Sequence, residues 1–372
     1  MDALQAVSHL VARQEAEAAP QCDTGNEYDG RMGLRIAAVF IIWLCSSAGA
    51  VFPIFAYRNK MKLSEWTFFV AKYFGSGVIV ATAFIHLLAP AEDALRNPCL
   101  TGPITDYAWV EGIVLMTIFV LFFVELMVMR YGNFGGEHTH DHDNQDHSQI
   151  LASERYHDTE LTDSPSLSPA KIQASGPRST SHAPGEDHLA HARQHTDIED
   201  AKGSLSAEDY AAQMTAIFIL EFGIIFHSIF IGLTLAVAGE EFTTLFIVII
   251  FHQTFEGLGL GSRLAVTPWP KTTKWTPYLM GLGYGLSTPL AIAIGLGVRT
   301  SYPPGSQTTL IVNGIFDSIS AGILIYTGLV ELMAHEFMFS NSMRKAKISV
   351  VLAAFGLMCC GAGLMALLGK WA

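Results

Sequence analysis

Two short phrases in the chain carry the residue types that could do chemistry. HSIFIGL occupies residues 227–233 and HQTFEGL residues 252–258, repeating His, Phe, Gly and Leu at matched places 25 residues apart. His252 and Glu256 stand four apart, so a helix would present both on one face. Two imidazoles and a carboxylate form a donor set that suits zinc, which takes nitrogen and oxygen ligands in a tetrahedral shell. Gln253, Ser228 or water would complete the shell around His227, His252 and Glu256. A shell left partly to weak ligands suits an ion that must be released. Both phrases lie inside runs of Ile, Leu, Phe and Val, where an ionisable side chain is costly and points to function. Any one such histidine has a plainer reading, a hydrogen bond to a neighbouring helix, and for the isolated His86 that reading stays open. Glu221 precedes His227 by six residues, about 120° around a helix. It is a pathway candidate and equally a structural partner.

These groups need elements to hold them. The chain has 372 residues, 50% hydrophobic and 15% charged, with a mean hydropathy of +0.34. A soluble domain usually carries about 25% charged residues. The apolar residues come in blocks of roughly 20, the length that spans about 30 Å of hydrocarbon as helix. The chain therefore reads as an all-α membrane protein. Eight spans are expected, at 33–57, 65–89, 108–131, 211–238, 242–262, 277–298, 308–333 and 348–370. They fall in a 3+2+3 arrangement: a tail at 1–32, helices one to three at 33–131, a polar loop at 132–208, and helices four to eight at 209–372. The net charge of −12 offers no basic surface for nucleic acid. No P-loop pattern is present, so transport driven by ATP on this chain alone is not expected. Arg13, Glu15 and Glu17 interrupt the start of the chain, so the first span, not a cleaved signal, is expected to direct insertion.

Short-loop cations predict the orientation. Arg58, Lys60, Lys62, Arg263, Lys271, Lys274, Arg344, Lys345 and Lys347 fall on one side, against Arg96 and Arg299 on the other. Nine against two puts the first set and the central loop in the cytosol, and both termini outside. Cys45, Cys359 and Cys360 lie within spans and are expected to pack. Cys22 and Cys99 fall on the expected outer side, where disulfides persist. A bridge between them and a pair of free thiols are both open readings.

Nine of the 14 histidines lie within 132–208, a stretch rich in Ser, Asp, Glu, Gln and Pro. Its low apolar content predicts disorder. His138, His140, His142 and His147, interleaved with Asp141, Asp143 and Asp146, are candidates for weak metal binding. Ser164-Pro165 and Ser168-Pro169 resemble phosphoacceptor contexts, and Lys171 and Lys202 are possible ubiquitin acceptors. Kinases and the ubiquitin and endocytic machinery are accordingly candidate partners.

Spans two and seven align at an offset of 245 residues: Gly77 with Gly322, Thr82 with Thr327, His86 with Glu331, Leu87 with Leu332, Ala89 with Ala334. Because they would cross in opposite directions, this predicts an inverted repeat of the kind found in secondary transporters. His86 would then sit toward the outer mouth and Glu331 toward the inner one, with His335 just beyond. Asp317 falls near the outer end of span seven. Spans four and five, joined by a short loop, are expected to be antiparallel neighbours, with Gly232 and Gly257 allowing close contact.

At these residues the chain resembles the ZIP (Zrt/Irt-like) divalent metal transporters, and among them the fungal plasma-membrane zinc uptake proteins. HSIFIGL, HQTFEGL, FIHLLAPA at 84–91 and SAGILIYTGLVEL at 320–332 carry the resemblance over about 33–131 and 211–372. It implies eight helices, outside termini and import of zinc, with iron, manganese or cadmium as further cargo. It implies homodimers, and an elevator motion in which spans one, four, five and six move past two, three, seven and eight. The transport-site positions carry over to His227, Ser228, His252, Gln253 and Glu256. Where some relatives have a second span-four carboxylate this chain has Ile231, and Gln253 replaces an acid, so one bound ion is expected. Two other classes stay open: a membrane metal sensor with the His-rich loop as reporter, and an intramembrane metallohydrolase. The latter lacks a helical HExxH.

Overall fold

A computed structural model describes residues 21–61, 65–131, 207–301 and 303–371. Among them all regular structure is helical, and eight helices are long and apolar enough to cross a membrane. Helix α1 is Met32–Arg58. Helix α2 begins as Glu65–Ala81, passes through a π-helical segment at Thr82–Leu88 and finishes as Ala89–Leu95. Helices α3, Trp109–Tyr131, and α4, Ala207–Val237, follow. Then come α5, Phe242–Val266, and α6, Thr276–Val298. Helix α7 begins as Gln307–Thr327 and continues as a π-helical segment at Gly328–Phe339, before α8 at Ile348–Leu368. The central-loop candidates His138, His140, His142 and His147, with Ser164, Ser168, Lys171 and Lys202, lie outside the described residues.

All eight expected spans are present, but two run further than the hydropathy pattern implied. Helix α2 passes Pro90 and reaches Leu95, and α7 passes residue 333 and reaches Phe339. Pro90 stands at the start of the final α-helical piece, just after the π-helical segment. A proline near a helix start leaves unfilled only a bond that is missing there anyway. The wider π turn absorbs the extra residue, so the helix does not end.

Polarity runs opposite to that of a soluble protein. Leu44, Phe119, Phe123, Leu290 and Leu352 are exposed on the outer surface of the helices, while Arg35, Glu221, His227, His252 and Glu256 are buried. Cys359 and Cys360 are exposed on α8 rather than packed within the bundle, and Cys45 is half-buried. Helix α5 lies mainly against α1 and α2, and α4 mainly against α6 and α7. Helices α4 and α5 touch one another far less, although they are consecutive. The expectation of close neighbours therefore needs correcting. A Cβ on Gly232 would meet Ala291 and the Thr288 carbonyl of α6, and one on Gly257 would meet Tyr284 of α6 and the Ser46 carbonyl of α1. These glycines bring α4 and α5 close to α6 and α1, not to each other. Helices α4 and α5 meet where Gln253 approaches Ser228 and the His227 ring approaches that of His252.

The end of the bundle where α1 begins and α4 finishes is tied together by Arg35, whose side chain is fully buried. Its Nη1 donates to the carbonyls of Leu235 at 3.2 Å and Ala236 at 3.0 Å, and its Nη2 to that of Ala238 at 2.5 Å. Its Nε donates to the Gly30 carbonyl at 2.9 Å, and Nη2 meets Asp29 at 2.8 Å. The guanidinium also lies over the rings of Tyr28 and Phe242. The last carbonyls of a helix have no partner within it and carry partial negative charge. Arg35 thus caps α4 from α1. Hydrogen bonds from Arg31 and then Arg35 hold the Asp29 carboxyl below its ordinary range. The stabilisation from that shift is present above the ordinary carboxylate pKa and is lost as pH falls through the lowered one. Cys22 and Cys99 form a disulfide, which joins the segment before α1 to the loop between α2 and α3.

Two outcomes check this frame. Arg35→Ala should lower stability by about 3–5 kcal/mol, because it strands the buried carbonyls at the end of α4. Arg35→Lys should restore only part, since an ammonium lacks the planar fork. Thermal unfolding in detergent measures both, and an unchanged melting temperature for Arg35→Ala would refute the capping role. Cys22→Ser should make Cys99 reactive toward a membrane-impermeant maleimide, whereas the unaltered protein stays unlabelled there.

Candidate metal site between helices four and five

The site residues sit toward the middle of their helices and face each other between α4 and α5. Helix α4 supplies His227 and Ser228, and α5 supplies His252, Gln253 and Glu256, every one at most 2% exposed. The helical spacing accounts for the α5 set: residues 252, 253 and 256 occupy one side of a single turn. The His227 and His252 rings are 5.6 Å apart between centroids. Two imidazoles on one tetrahedral zinc place their centroids about 5 Å apart, so the observed spacing is slightly more open. His252 Nε2 lies 3.7 Å from Glu256 Oε2, too far for a hydrogen bond. Gln253 Nε2 donates to Ser228 Oγ of α4 at 3.5 Å.

Six polar atoms here have no hydrogen-bond partner: both ring nitrogens of His227, Nε2 of His252, Oε1 of Gln253 and both carboxyl oxygens of Glu256. Leaving a buried polar group unsatisfied costs about 1–3 kcal/mol. One imidazole nitrogen from each histidine and the Glu256 carboxylate are donors of the kind a cation takes. Among the described residues, however, no three His, Cys, Asp or Glu side chains are gathered tightly enough to hold a metal ion as they stand. Ligation would need small side-chain rotations that close the 5.6 Å and 3.7 Å separations.

His86 belongs to the same group. Its ring packs edge-on against that of His252 at 4.7 Å, and its Nε2 is 3.1 Å from the Met365 carbonyl of α8. It therefore stands beside the central histidines, deeper than an outer-mouth contact. The π-helical segment that contains it, Thr82–Leu88, sets that placement. The other candidates are elsewhere. Glu221 is buried on α4, with Oε2 unpartnered. Asp317 is half-buried on α7. Glu331 and His335 pair at 3.1 Å within the final segment of α7. Ile231, in place of a second carboxylate, packs into the apolar cluster around Ile42, Phe246 and Ile292.

The sequence reading missed Tyr284. This residue of α6 is fully buried, and its hydroxyl donates to the Gln253 carbonyl at 2.6 Å. It braces the α5 turn that carries the donors. A tyrosine inside a glycine-rich apolar run gives no local sign of that task. The reading also missed the tie between Glu125 of α3 and the Tyr326 hydroxyl of α7.

The sequence matches the ZIP zinc transporter family over residues 32–369. It is 44% identical to zinc-regulated transporter 2 of Saccharomyces cerevisiae, over 98% of this chain and 99% of that protein. It is 40% identical to zinc-regulated transporter 1 of Schizosaccharomyces pombe, over 93% of this chain and 87% of that protein. It is also 30% identical to the chloroplastic Fe(2+) transport protein 3 of Arabidopsis thaliana, over 91% of this chain and 85% of that protein. These are membrane transporters, which removes the metallohydrolase alternative. Since the match runs from the start of α1 to the end of α8, the chain belongs to the ZIP zinc transporter family.

Proposed function

We propose that this protein imports a divalent cation, zinc foremost, into the cytosol through a site between α4 and α5. One observation carries the reading: the six unpartnered polar atoms of His227, His252, Gln253 and Glu256. His227, His252 and Glu256 are the ligands, with Ser228 and Gln253 at the edge of the shell. His86 is the donor next reached by the ion. The names of the fungal relatives support zinc as the cargo. Two imidazoles do not exclude Fe2+, and the Arabidopsis iron transporter keeps it as a second cargo. Mn2+ and Cd2+ follow the same donor chemistry more weakly.

Transport proceeds by alternating access, and the packing supports an elevator. Helices α1, α4, α5 and α6 make their densest contacts with each other, and α2 packs with α8 as α3 does with α7. The π-helical segments at Thr82–Leu88 and Gly328–Phe339 begin at positions one residue off the 245-residue offset, which supports an inverted repeat. The Cys22–Cys99 disulfide supports an oxidising, outer location for that end. In this reading the protein is a plasma-membrane homodimer with cytosolic Glu331, His335 and central-loop histidines receiving the ion.

The test is uptake of radioactive zinc in cells that lack their own high-affinity uptake. His252→Ala with Glu256→Ala should raise the zinc concentration needed for half-maximal uptake by about 100-fold or abolish uptake. Intact uptake at normal surface abundance would overturn the site. Imidazole must lose its proton to bind metal, so uptake should fall as the outer pH is lowered. Deleting residues 136–196 should leave flux in place; a protein that then signals but moves no zinc would favour the sensor reading.

A further inference from the structure

Arg263 follows Glu256 by seven residues on α5. Seven residues is close to two helical turns, so the two side chains share a face, about 10 Å apart along the axis. The guanidinium keeps its charge at any accessible pH, yet this side chain is only 13% exposed. Its Nη2 lies 2.9 Å from Glu336 Oε1 on α7 and donates to Ser76 Oγ on α2 at 2.8 Å. Lys72, one turn before Ser76, brings its Nζ to 3.8 Å from the same Glu336 oxygen. Arg263 Nε and Glu336 Oε2 have no hydrogen-bond partner. The contact is therefore a single-pronged one, weaker than the two-pronged pairing these groups can form. It crosses from α5 to both α2 and α7, while the helix that carries Arg263 also carries the metal donors.

We infer that Arg263 and Glu336 form an ionic latch that closes the cytosolic end of the pathway. The inference rests on the proposed division into a moving body with α5 and a fixed one with α2 and α7. When the latch is shut, α5 is held against α2 and α7. When α5 slides, the 2.9 Å and 2.8 Å contacts break within a displacement of about 1 Å, since hydrogen bonds end near 3.5 Å. The Glu336 carboxylate is then released from Arg263 and offers the departing ion a negative partner. The half-used geometry fits a contact that has to open in every cycle. A pair made only for stability would gain by using the second prong.

The decisive experiment locks the latch. Cys45, Cys359 and Cys360 are replaced by Ala, and Arg263→Cys is combined with Glu336→Cys. A cleavable thiol-to-thiol cross-linker should stop zinc uptake, and cleavage by reductant should restore it. Single-cysteine variants treated alike control for effects on Cys22–Cys99. Uptake that continues in fully cross-linked protein overturns the latch. A second arm covers a variant that fails to fold. Arg263→Glu alone should slow uptake on the order of tenfold, the effect of ~1.4 kcal/mol, and adding Glu336→Arg should recover most of it. A double variant as slow as the single one, at equal surface abundance, also overturns the proposal. Failure here is distinguishable from failure of the transport reading. If uptake still depends on His252 and Glu256 while the cross-link has no effect, only the latch falls.

Discussion

A polar group taken out of water and surrounded by hydrocarbon must find a partner, or the fold bears the full cost of its lost hydration. The interior of this protein can be sorted by how each group meets that demand. Arg35 spends its guanidinium on four carbonyls, one carboxylate and two aromatic rings. Glu125 takes the Tyr326 hydroxyl. Gln253 has Ser228 on one side only. His227, His252 and Glu256 leave their lone pairs unused at one place. The first two solutions make a rigid frame. The last leaves polar groups without a protein partner, and the proposed metal site rests on that contrast.

The frame determines how near the donors can come to one another. Consecutive helices joined by a short loop would ordinarily pack side by side. Here glycines draw α4 onto α6 and α5 onto α1, and the two site helices stand apart. The imidazoles of His227 and His252 are buried side by side, 5.6 Å apart between ring centroids. Tyr284 holds the α5 turn from behind, and the π-helical segment of α2 presents His86 at the third side.

Membership of the ZIP zinc transporter family places these features in a set of membrane metal transporters. On α4, Ile231 packs among apolar neighbours and adds no ligand beside His227. Arg263, Lys72 and Glu336 meet where α2, α5 and α7 come together.

The amino-acid sequence by itself determined the helices, because backbone satisfaction in a bilayer leaves few options and an apolar run of about 20 residues is unmistakable. It also determined the α5 donor set, since a four-residue spacing on a helix fixes a shared face whatever packs around it. Relations between distant helices were decided only by the tertiary structure. His86 beside His252, Tyr284 behind Gln253 and Arg263 on Glu336 all join residues far apart along the chain. The Cys22–Cys99 bridge is the same kind of fact: two thiols in an oxidising setting allow a bond, and only their approach in space makes it. Hydropathy reports how each residue meets lipid. It carries no information about which helix fills the other side, and that is fixed by the shapes of all eight at once.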